Sequence, residues 1–239
     1  DYIYICVKSI IDRCGESFNV CIINDDSFEK LLPNWKIDMT LINEPILGYM
    51  RTLGLMKLIY KYGGLLVPYS FVCYQDLINV YKNSNKAFFG EFIESSNLSN
   101  MTVLYPNYRF MGSMRENSVI NEIIKSIEIT IHNNTTDENN FNNSINRLIY
   151  EKIKNNEALQ IDADYLGVKS HNGDVMSLEL FFSEKHISFN KNILGVYIPY
   201  DKILERHHFS WFAKANFDEC INTNYNISYI LKKSVSQYL

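Results

Sequence analysis

Acidic and amide side chains follow an apolar run near the start of the sequence. Phe18–Ile23 is β-branched and aromatic and is followed at once by Asn24, Asp25 and Asp26. Such a run predicts a buried strand. In open α/β sheets the ligand crevice lies beyond the carboxyl ends of the strands, which makes these three side chains candidates for a binding site. The alternative is that Asp25 or Asp26 caps a helix that begins near Ser27.

A second group of side chains could neutralise an anionic leaving group or position an anion. Its members are Arg51, Tyr69, Arg115, His207 and His208. Arg115 precedes a predicted helix, whose amino end attracts anions, although exposed surface is an equal alternative. The alternative for Arg51 is a solvated or salt-bridged position on a helix.

The two adjacent histidines do not have the spacing of a metal pair on a helix. Two ligands on one helical face need i,i+4 spacing, so packing beside Trp211 is the alternative for His207 and His208. The sequence also contains no G-x-G-x-x-G, no G-x-x-x-x-G-K-[ST], no G-x-S-x-G and no H-E-x-x-H. The dinucleotide-binding, P-loop, serine-hydrolase and zincin patterns are therefore not met.

The elements that would position these side chains indicate an α/β protein. Tyr2–Val7 predicts a first strand, Ser9–Cys14 a short helix and Phe18–Ile23 a second strand. Near-continuous apolar strands separated by helices favour a mostly parallel sheet that is covered on both faces. We therefore expect a mostly parallel mixed sheet flanked by helices.

A buried helix with a glycine stop is the clearest single element. Apolar residues recur at helical spacing from Pro45 to Tyr62, and Gly63 and Gly64 follow directly. Leu65–Val67 then predicts a central strand, and the chain leaves it through Pro68, Tyr69 and Ser70.

The remaining elements complete one predicted domain over residues 1–239. Further short strands are predicted at Phe71–Cys73, Phe88–Phe89, Met101–Leu104, Ala158–Ile161, Asp164–Val168, Ile187–Phe189 and Ile193–Ile198. Helices are predicted at Ser118–Ile131, Ile145–Lys154 and Ile227–Val235. Residues 132–146 are polar and asparagine-rich and predict a loop insertion, and residues 205–239 predict an aromatic and helical appendage.

Composition excludes several classes of function. The 239 residues carry a formal net charge of -4, which is not the footprint of a general nucleic-acid binder. Lys57 and Lys61 interrupt the richest apolar stretch, so a membrane span is not expected. The five cysteines are scattered and form no C-x-x-C pair, which favours buried reduced thiols over a disulfide framework or zinc site. We expect a cytoplasmic location, including the cytoplasm of a virus-infected host; the oligomeric state is left open.

The segment Leu55–Val67 resembles the helix-GG-strand signature of glycosyltransferases with the GT-A fold. The nearest groups are the capsular polysaccharide synthesis proteins and the related DXD-containing, family-32-type transferases. Segments that are similar in the same order are Cys6–Asp25, Leu77, Asn107–Ser113 with the following helix, and Arg206–Trp211. The resemblance implies a GT-A-like fold, a nucleotide-sugar donor, a glycan or protein acceptor, and Mn²⁺ or Mg²⁺ at a DXD motif.

The chain departs from this family at the metal site. Pro68, Tyr69 and Ser70 stand where the family has acidic ligands, and a divalent cation needs oxygen ligands such as carboxylates. The family's Asp and Arg in the preceding helix correspond to Thr52 and Leu55.

Three carboxylates elsewhere in the chain are the only candidates to replace the missing motif. Asp162 and Asp164 form the one literal D-x-D, for which turn or capping service is the alternative. Asp76 lies eight residues beyond Pro68. Mn²⁺ or Mg²⁺ is expected only if one of these carboxylates reaches the crevice.

Two functional hypotheses follow. The first is a glycosyltransferase with an atypical, metal-independent donor site, in which Arg51 and Arg115 neutralise the departing diphosphate. The alternative is a catalytically inactive relative that serves as a binding or structural module, for example in a virus particle.

Overall fold

The computed structural model describes residues 1–95, 102–133 and 137–235. The helices are α1 (Tyr2–Cys14), α2 (Asp25–Leu31), α3 (Ile46–Tyr62), α4 (Ile78–Lys82), α5 (Ser118–His132), α6 (Glu138–Lys154), α7 (Leu178–Phe181), α8 (Tyr200–Glu205), α9 (Phe217–Ile221) and α10 (Asn226–Val235), with 3-10 turns at Met39–Leu41 and Ser210–Lys214. The strands are β1 (Gly64–Leu66), β2 (Phe71–Cys73), β3 (Ala87–Ser95), β4 (Thr102–Ser113), β5 (Ala158–Ile161) and β6 (Gly195–Tyr197).

The strands form two small sheets flanked by helices, which confirms the α/β class. The larger sheet has the order β1-β4-β3-β5, and β2 pairs with β6 in the smaller one. The expected mostly parallel arrangement is not observed. In the described part of the chain β3 and β5 run parallel, whereas β1–β4, β3–β4 and β2–β6 are antiparallel.

The prediction of a first strand at Tyr2–Val7 is wrong, because these residues belong to α1. The buried positions of α1 include Tyr2, Ile5, Cys6 and Ser9, which recur at i, i+3, i+4 and i+7. That spacing is a helical stripe, and here it overrides the strand preference of the β-branched and aromatic residue types. The stripe packs with β2 and α10 in one core cluster.

Three other predicted strands are also absent from the described structure. Phe18–Ile23 is extended but pairs with no strand, and Val20, Cys21 and Ile22 are exposed. The Asp164–Val168 segment is a turn that begins where the N–H of Tyr165 donates to the carbonyl of Asp162 at 3.0 Å. Ile187–Phe189 is irregular. These strands were predicted from residue type alone. In the described structure no strand pairs with these segments.

The predicted helix and its diglycine stop are confirmed. α3 ends at Gly63, whose φ of 69° and ψ of -167° lie in a region that is open almost only to glycine. A Cβ at Gly63 would lie 2.9 Å from the backbone nitrogen of Arg115 and 3.1 Å from the carbonyl oxygen of Ser113. The close turn feeds β1, whose Gly64 pairs with Ser113 of β4.

β1 is not the central strand that the sequence predicted. It lies at one edge of the four-stranded sheet, where β4 is its neighbour among the described strands. Its exit nonetheless passes into the interior, because Phe71–Cys73 follows at once as the fully buried β2. The exit of β1 therefore connects the two sheets.

The predicted loop insertion at residues 132–146 is helical over most of its length, because α6 begins at Glu138. Residues 134–136 lie outside the described residues. Phe141, Ile145 and Ile149 are buried at i, i+4 and i+8 against the core that also holds α3 and α5. A sparse apolar stripe is thus enough to bury one face of a helix whose sequence is rich in asparagine.

The predicted C-terminal appendage is part of a core. Phe212, Cys220, Ile227 and Leu231 are fully buried in one cluster with residues of α1 and β2. The predicted terminal helix is confirmed as α10. Within the described residues, no helix combines the length and the apolar character needed to cross a membrane.

Candidate functional site

The exit of β1 places Tyr69 at the surface between the two sheets. The N–H of Phe71 donates to the carbonyl of Pro68 at 3.0 Å and closes a turn. Ser70 is buried, and its carbonyl accepts the N–H of Ile198 just beyond β6 at 3.0 Å. These hydrogen bonds fix the backbone on both sides of Tyr69. The half-exposed side chain of Tyr69 projects toward the start of α8.

Tyr69 and Tyr200 form a pair at this exit. Their ring centroids are 4.9 Å apart with an interplanar angle of 62°, which is an edge-on contact. Burial raises the pKa of the Tyr69 hydroxyl, and the hydrogen bond with Tyr200 and the negative charge of Asp201 add to this effect. Tyr69 therefore stays neutral at physiological pH and keeps both a donor and an acceptor function.

Arg51 is held by two carboxylates. Its Nε and Nη2 donate to Oδ1 and Oδ2 of Asp25 at 2.9 and 2.8 Å, and its Nη1 donates to Oε1 of Glu44 at 3.1 Å. Tyr200 is close enough to Arg51 to contribute to its electrostatics. We refer to Asp25, Glu44, Arg51, Tyr69 and Tyr200 as the exit cluster.

The charges of the exit cluster influence one another. The hydrogen bonds from Arg51 hold the pKa of the Asp25 carboxyl below its ordinary value, and they outweigh the opposing effect of partial burial. The same contacts raise the pKa of Arg51. All three side chains of the ion-pair group are well exposed, so the ion pairs contribute little stability and can exchange partners.

The candidates at residues 24–26 divide between structural and site positions. Asn24 caps α2, because its Oδ1 accepts the N–H of Ser27 at 3.1 Å, while the N–H of Asn24 donates to the Ser27 hydroxyl at 3.1 Å. Asp25 is the first residue of that helix and turns its carboxylate to Arg51. The helix cap thus positions the carboxylate that holds the guanidinium.

Arg115 lies at the opposite end of α3 from Arg51. The N–H of Glu116 donates to the carbonyl of Tyr60 at 2.6 Å, and Tyr60 is nine residues beyond Arg51. At the helical rise those nine residues span about 14 Å. The amino end of α5 next to Arg115 is capped by Asn117, whose Oδ1 accepts the N–H of Val119 at 3.0 Å. Arg115 is therefore not part of the exit cluster.

His207 and His208 lie on an exposed turn after α8, with ring centroids 6.3 Å apart. The neighbouring aromatic residues pack together, because Phe209 stacks on Phe182 at 4.6 Å and Trp211 meets the same ring edge-on. The histidines themselves stay at the surface. The structure does not bring them into the exit cluster by any contact.

The carboxylates that could replace a DXD motif have local partners. Oδ1 of Asp76 accepts the N–H of Ile78 at 2.9 Å, and its other oxygen accepts a hydrogen bond from Ser17. Asp164 accepts from Asn190 at 2.8 Å, and Asp162 accepts from Gln160 at 3.2 Å. The contacts of Asp76 with Ile78 and of Asp162 with Gln160 are local turn contacts, whereas Ser17–Asp76 and Asn190–Asp164 join distant segments of the chain.

The donor set at the exit does not fit a Mn²⁺ or Mg²⁺ ion. Pro68, Tyr69 and Ser70 offer no carboxylate, and the carboxylates of Asp25 and Glu44 are paired with Arg51, whereas a hard divalent cation in a protein site relies on carboxylate oxygens. Across residues 1–95, 102–133 and 137–235, no three His, Cys, Asp or Glu side chains are grouped so that they could hold a metal ion. The residues at the exit of β1 therefore do not suit a divalent cation.

Sequence reasoning missed two members of the exit cluster. Glu44 precedes Pro45 at the start of α3, and Tyr200 follows Pro199 at the end of a predicted strand. The position of Tyr200 just beyond the carboxyl end of a strand was the one signal that could have identified it. Comparisons with known protein families, curated proteins and solved structures found no match to this chain.

Proposed function

We propose that this chain is a glycosyltransferase-like protein that binds a nucleotide sugar at the exit of β1 without a divalent cation and transfers the sugar to a glycan or protein acceptor. The GT-A assignment of the fold is part of the same proposal. One observation supports it. Tyr69, which follows the helix-GG-strand element, packs on Tyr200, and Tyr200 contributes to the electrostatics of Arg51 in the helix of that element.

Arg51 is the group that would neutralise the donor diphosphate. A guanidinium that binds a carboxylate through two parallel hydrogen bonds presents the geometry with which arginine also binds phosphate. Asp25 therefore holds the position that a phosphate would take. Replacing Asp25 by a phosphate on Arg51 should cost little free energy, because the ion pair is exposed.

The two tyrosine hydroxyls would supply the remaining polar contacts. Tyr69 is neutral at physiological pH and can donate a hydrogen bond to a phosphate oxygen or to a sugar hydroxyl. Preorganised donors that face a developing negative charge lower the barrier of group transfer. The edge-on packing of Tyr200 on Tyr69 fixes both rings before a ligand arrives.

Transfer would proceed by attack of an acceptor hydroxyl on the anomeric carbon. The new bond joins the acceptor oxygen to that carbon while the bond to the diphosphate breaks, and the acceptor proton passes to water. The negative charge left on the diphosphate is then stabilised by Arg51 and by the hydroxyl of Tyr69.

A second candidate is a catalytically inactive relative that serves as a binding or structural module. The charge of the exit cluster favours it, because the carboxylates of Asp25 and Glu44 outnumber the one guanidinium of Arg51. A bound diphosphate would meet this excess of negative charge unless at least one carboxylate moved away.

A thermal-shift screen of nucleotides and nucleotide sugars, with and without Mn²⁺, tests the proposal. A ligand that binds only the native state raises the melting temperature. We expect a shift that needs no metal and that is lost in Arg51→Gln and reduced in Tyr69→Phe. Tyr62→Phe is the matched control, because the hydroxyl of Tyr62 bonds the carbonyl of Leu31 instead.

The outcomes separate the two candidates. A metal-free shift accompanied by sugar transfer, measured as release of free nucleoside diphosphate in the presence of acceptor, supports the transferase. A shift without release supports the inactive relative. The absence of a shift with every nucleotide sugar contradicts the proposal.

A further inference from the structure

Two buried thiols lie side by side where α1 meets β2. Cys14 is the last residue of α1 and Cys73 the last of β2, and their Sγ atoms are 4.0 Å apart. They are 59 positions apart in the chain. The backbone around them is fixed, because the Ser9 hydroxyl of α1 accepts the N–H of Cys73 at 2.8 Å. The approach of the two sulfurs is thus built into the packing of the two elements.

The two sulfurs differ in their surroundings. Hydrogen bonding with the Cys73 thiol, aided by the backbone of Leu77, holds the pKa of Cys14 below its ordinary value. The same contact raises the pKa of Cys73, and burial adds to the rise. The carbonyl oxygen of Gln75 lies 3.1 Å from Sγ of Cys73 and is a second acceptor for its one proton. Of the two thiols Cys14 is therefore the more easily ionised, which suits it to attack and suits Cys73 to act as the resolving thiol.

We propose that Cys14 and Cys73 form a redox-active pair that closes to an intramolecular disulfide on reaction with a low-molecular-weight disulfide such as oxidised glutathione. The Cys14 thiolate attacks one sulfur of the small disulfide, a mixed disulfide forms, and the other sulfur leaves as a thiolate. Cys73 gives its proton to water and attacks Sγ of Cys14, and the second small thiolate leaves. The protein loses two electrons and two protons, and the small disulfide is reduced to two thiols.

Access to this pair is from the turn that follows α1. Gly15, Glu16 and Ser17 are all exposed, and Cys14 is the residue immediately before them. Reaction at the Cys14 sulfur requires this turn to open, which breaks the hydrogen bond from Ser17 to Asp76. The other three thiols do not combine an attacking with a resolving thiol. Burial raises the pKa of both Cys6 and Cys220. Cys21 lies apart, exposed on the Phe18–Ile23 segment.

Peptide mapping of the full chain tests the pair. The folded protein is incubated with oxidised glutathione, alkylated and digested, and its thiols are identified by mass spectrometry. We expect a cross-linked peptide that joins Cys14 to Cys73 in the wild type and in the control variant Cys21→Ala. In Cys73→Ala the mixed glutathione disulfide should accumulate on Cys14. In Cys14→Ala, Cys73 should stay reduced.

Two further results bear on the proposal. The melting temperature of the oxidised protein should rise and should return to its first value after dithiothreitol, since a cross-link restricts the unfolded chain. The proposal is overturned if glutathione modifies only Cys21 while circular dichroism shows a native fold and the Cys14 and Cys73 thiols stay reduced. It is also overturned if the cross-link joins Cys6 to Cys220.

Discussion

The guanidinium of Arg51 and the carboxylate of Asp25 face each other through two parallel hydrogen bonds of 2.9 and 2.8 Å, although the residues belong to different helices. Tyr200, which packs on Tyr69 at the exit of β1, contributes to the electrostatics of Arg51. In the proposed function a phosphate competes with Asp25 for the same two donors. Each residue of the pair therefore has a different and measurable effect on ligand binding.

Removing the competing charge should strengthen binding. In Asp25→Asn the side chain keeps its size but no longer forms an ion pair, so the affinity for a nucleoside diphosphate should rise by up to about fivefold, the equivalent of an exposed ion pair. Asp26→Asn is the control, because Arg51 bonds Asp25 rather than its neighbour. Equal or weaker binding by Asp25→Asn, measured by calorimetry, would count against the exchange of partners.

The ion pair with Arg51 should also be visible in the titration of the Asp25 carboxyl. Arg51 stabilises the charged form of Asp25, so the pKa of this carboxyl should move up toward its ordinary value in Arg51→Gln. NMR titration of the side-chain carboxyl carbon measures the shift. Asp38 is the control, because hydrogen bonding with Thr40 lowers its pKa and Arg51 has no part in that contact. An unchanged pKa for Asp25 would show that the pair does not persist in solution.

The sign of the linked stability follows from the direction of this shift. A carboxyl whose folded pKa is depressed contributes stability above its unfolded pKa, and this contribution is lost as the pH falls through the folded pKa. The contribution is small at Asp25 because both partners are exposed to solvent. The difference in unfolding free energy between the wild type and Asp25→Asn should therefore vanish in acid.

The diglycine turn should not tolerate a side chain at its first position. Gly63→Ala introduces a Cβ in a conformation that costs about 1–3 kcal/mol and brings it against the backbone of Arg115. Gly173→Ala is the control, since Gly173 also has a positive φ but the nearest atom to the new Cβ, Cε of Lys169, would lie 3.7 Å away. Urea unfolding should show the larger loss for Gly63→Ala. Equal losses would mean that the crowding at Gly63 has no energetic effect.

The helix that replaces the predicted loop should depend on its buried stripe. Phe141 stacks on Tyr49 with ring centroids 3.8 Å apart and is 2% exposed. Phe141→Ala should therefore cost about 3–5 kcal/mol of unfolding free energy. Asn143→Ala changes an exposed residue of the same helix and should have little effect. If the two variants were equally stable, this segment would not be packed as a helix.

Sequence periodicity correctly predicted the helices that bury a wide apolar face or are followed by glycine. The helix that ends at Gly63 and the helix from Ser118 both appear with nearly the predicted bounds. The Tyr2–Val7 error arose from residue type, because β-branched residues favour a strand while their spacing supports a helix. The strand pairings could not be predicted, because they depend on contacts between distant segments such as β3 and β5.

The site was predictable only in part. Arg51, Asp25 and Tyr69 were identified individually from strand ends and charge; the structure joins Arg51 to Asp25 by hydrogen bonds and links Tyr69 to them through Tyr200. Arg115 was expected to act with Arg51, but sequence order does not reveal that it lies at the other end of the same helix. Tyr200 contacts Tyr69 although more than a hundred residues separate them in the chain, and no local sequence pattern predicts such a contact.

The most direct measurement is a calorimetric titration of the wild type with a nucleoside-diphosphate sugar in EDTA, repeated with Arg51→Gln. We predict saturable binding of the nucleotide sugar without a metal. The affinity should be about 10–100-fold weaker in Arg51→Gln, as expected for the loss of charged hydrogen bonds. The proposed function is contradicted by the absence of binding, by binding that appears only with Mn²⁺, or by equal affinity of the two proteins.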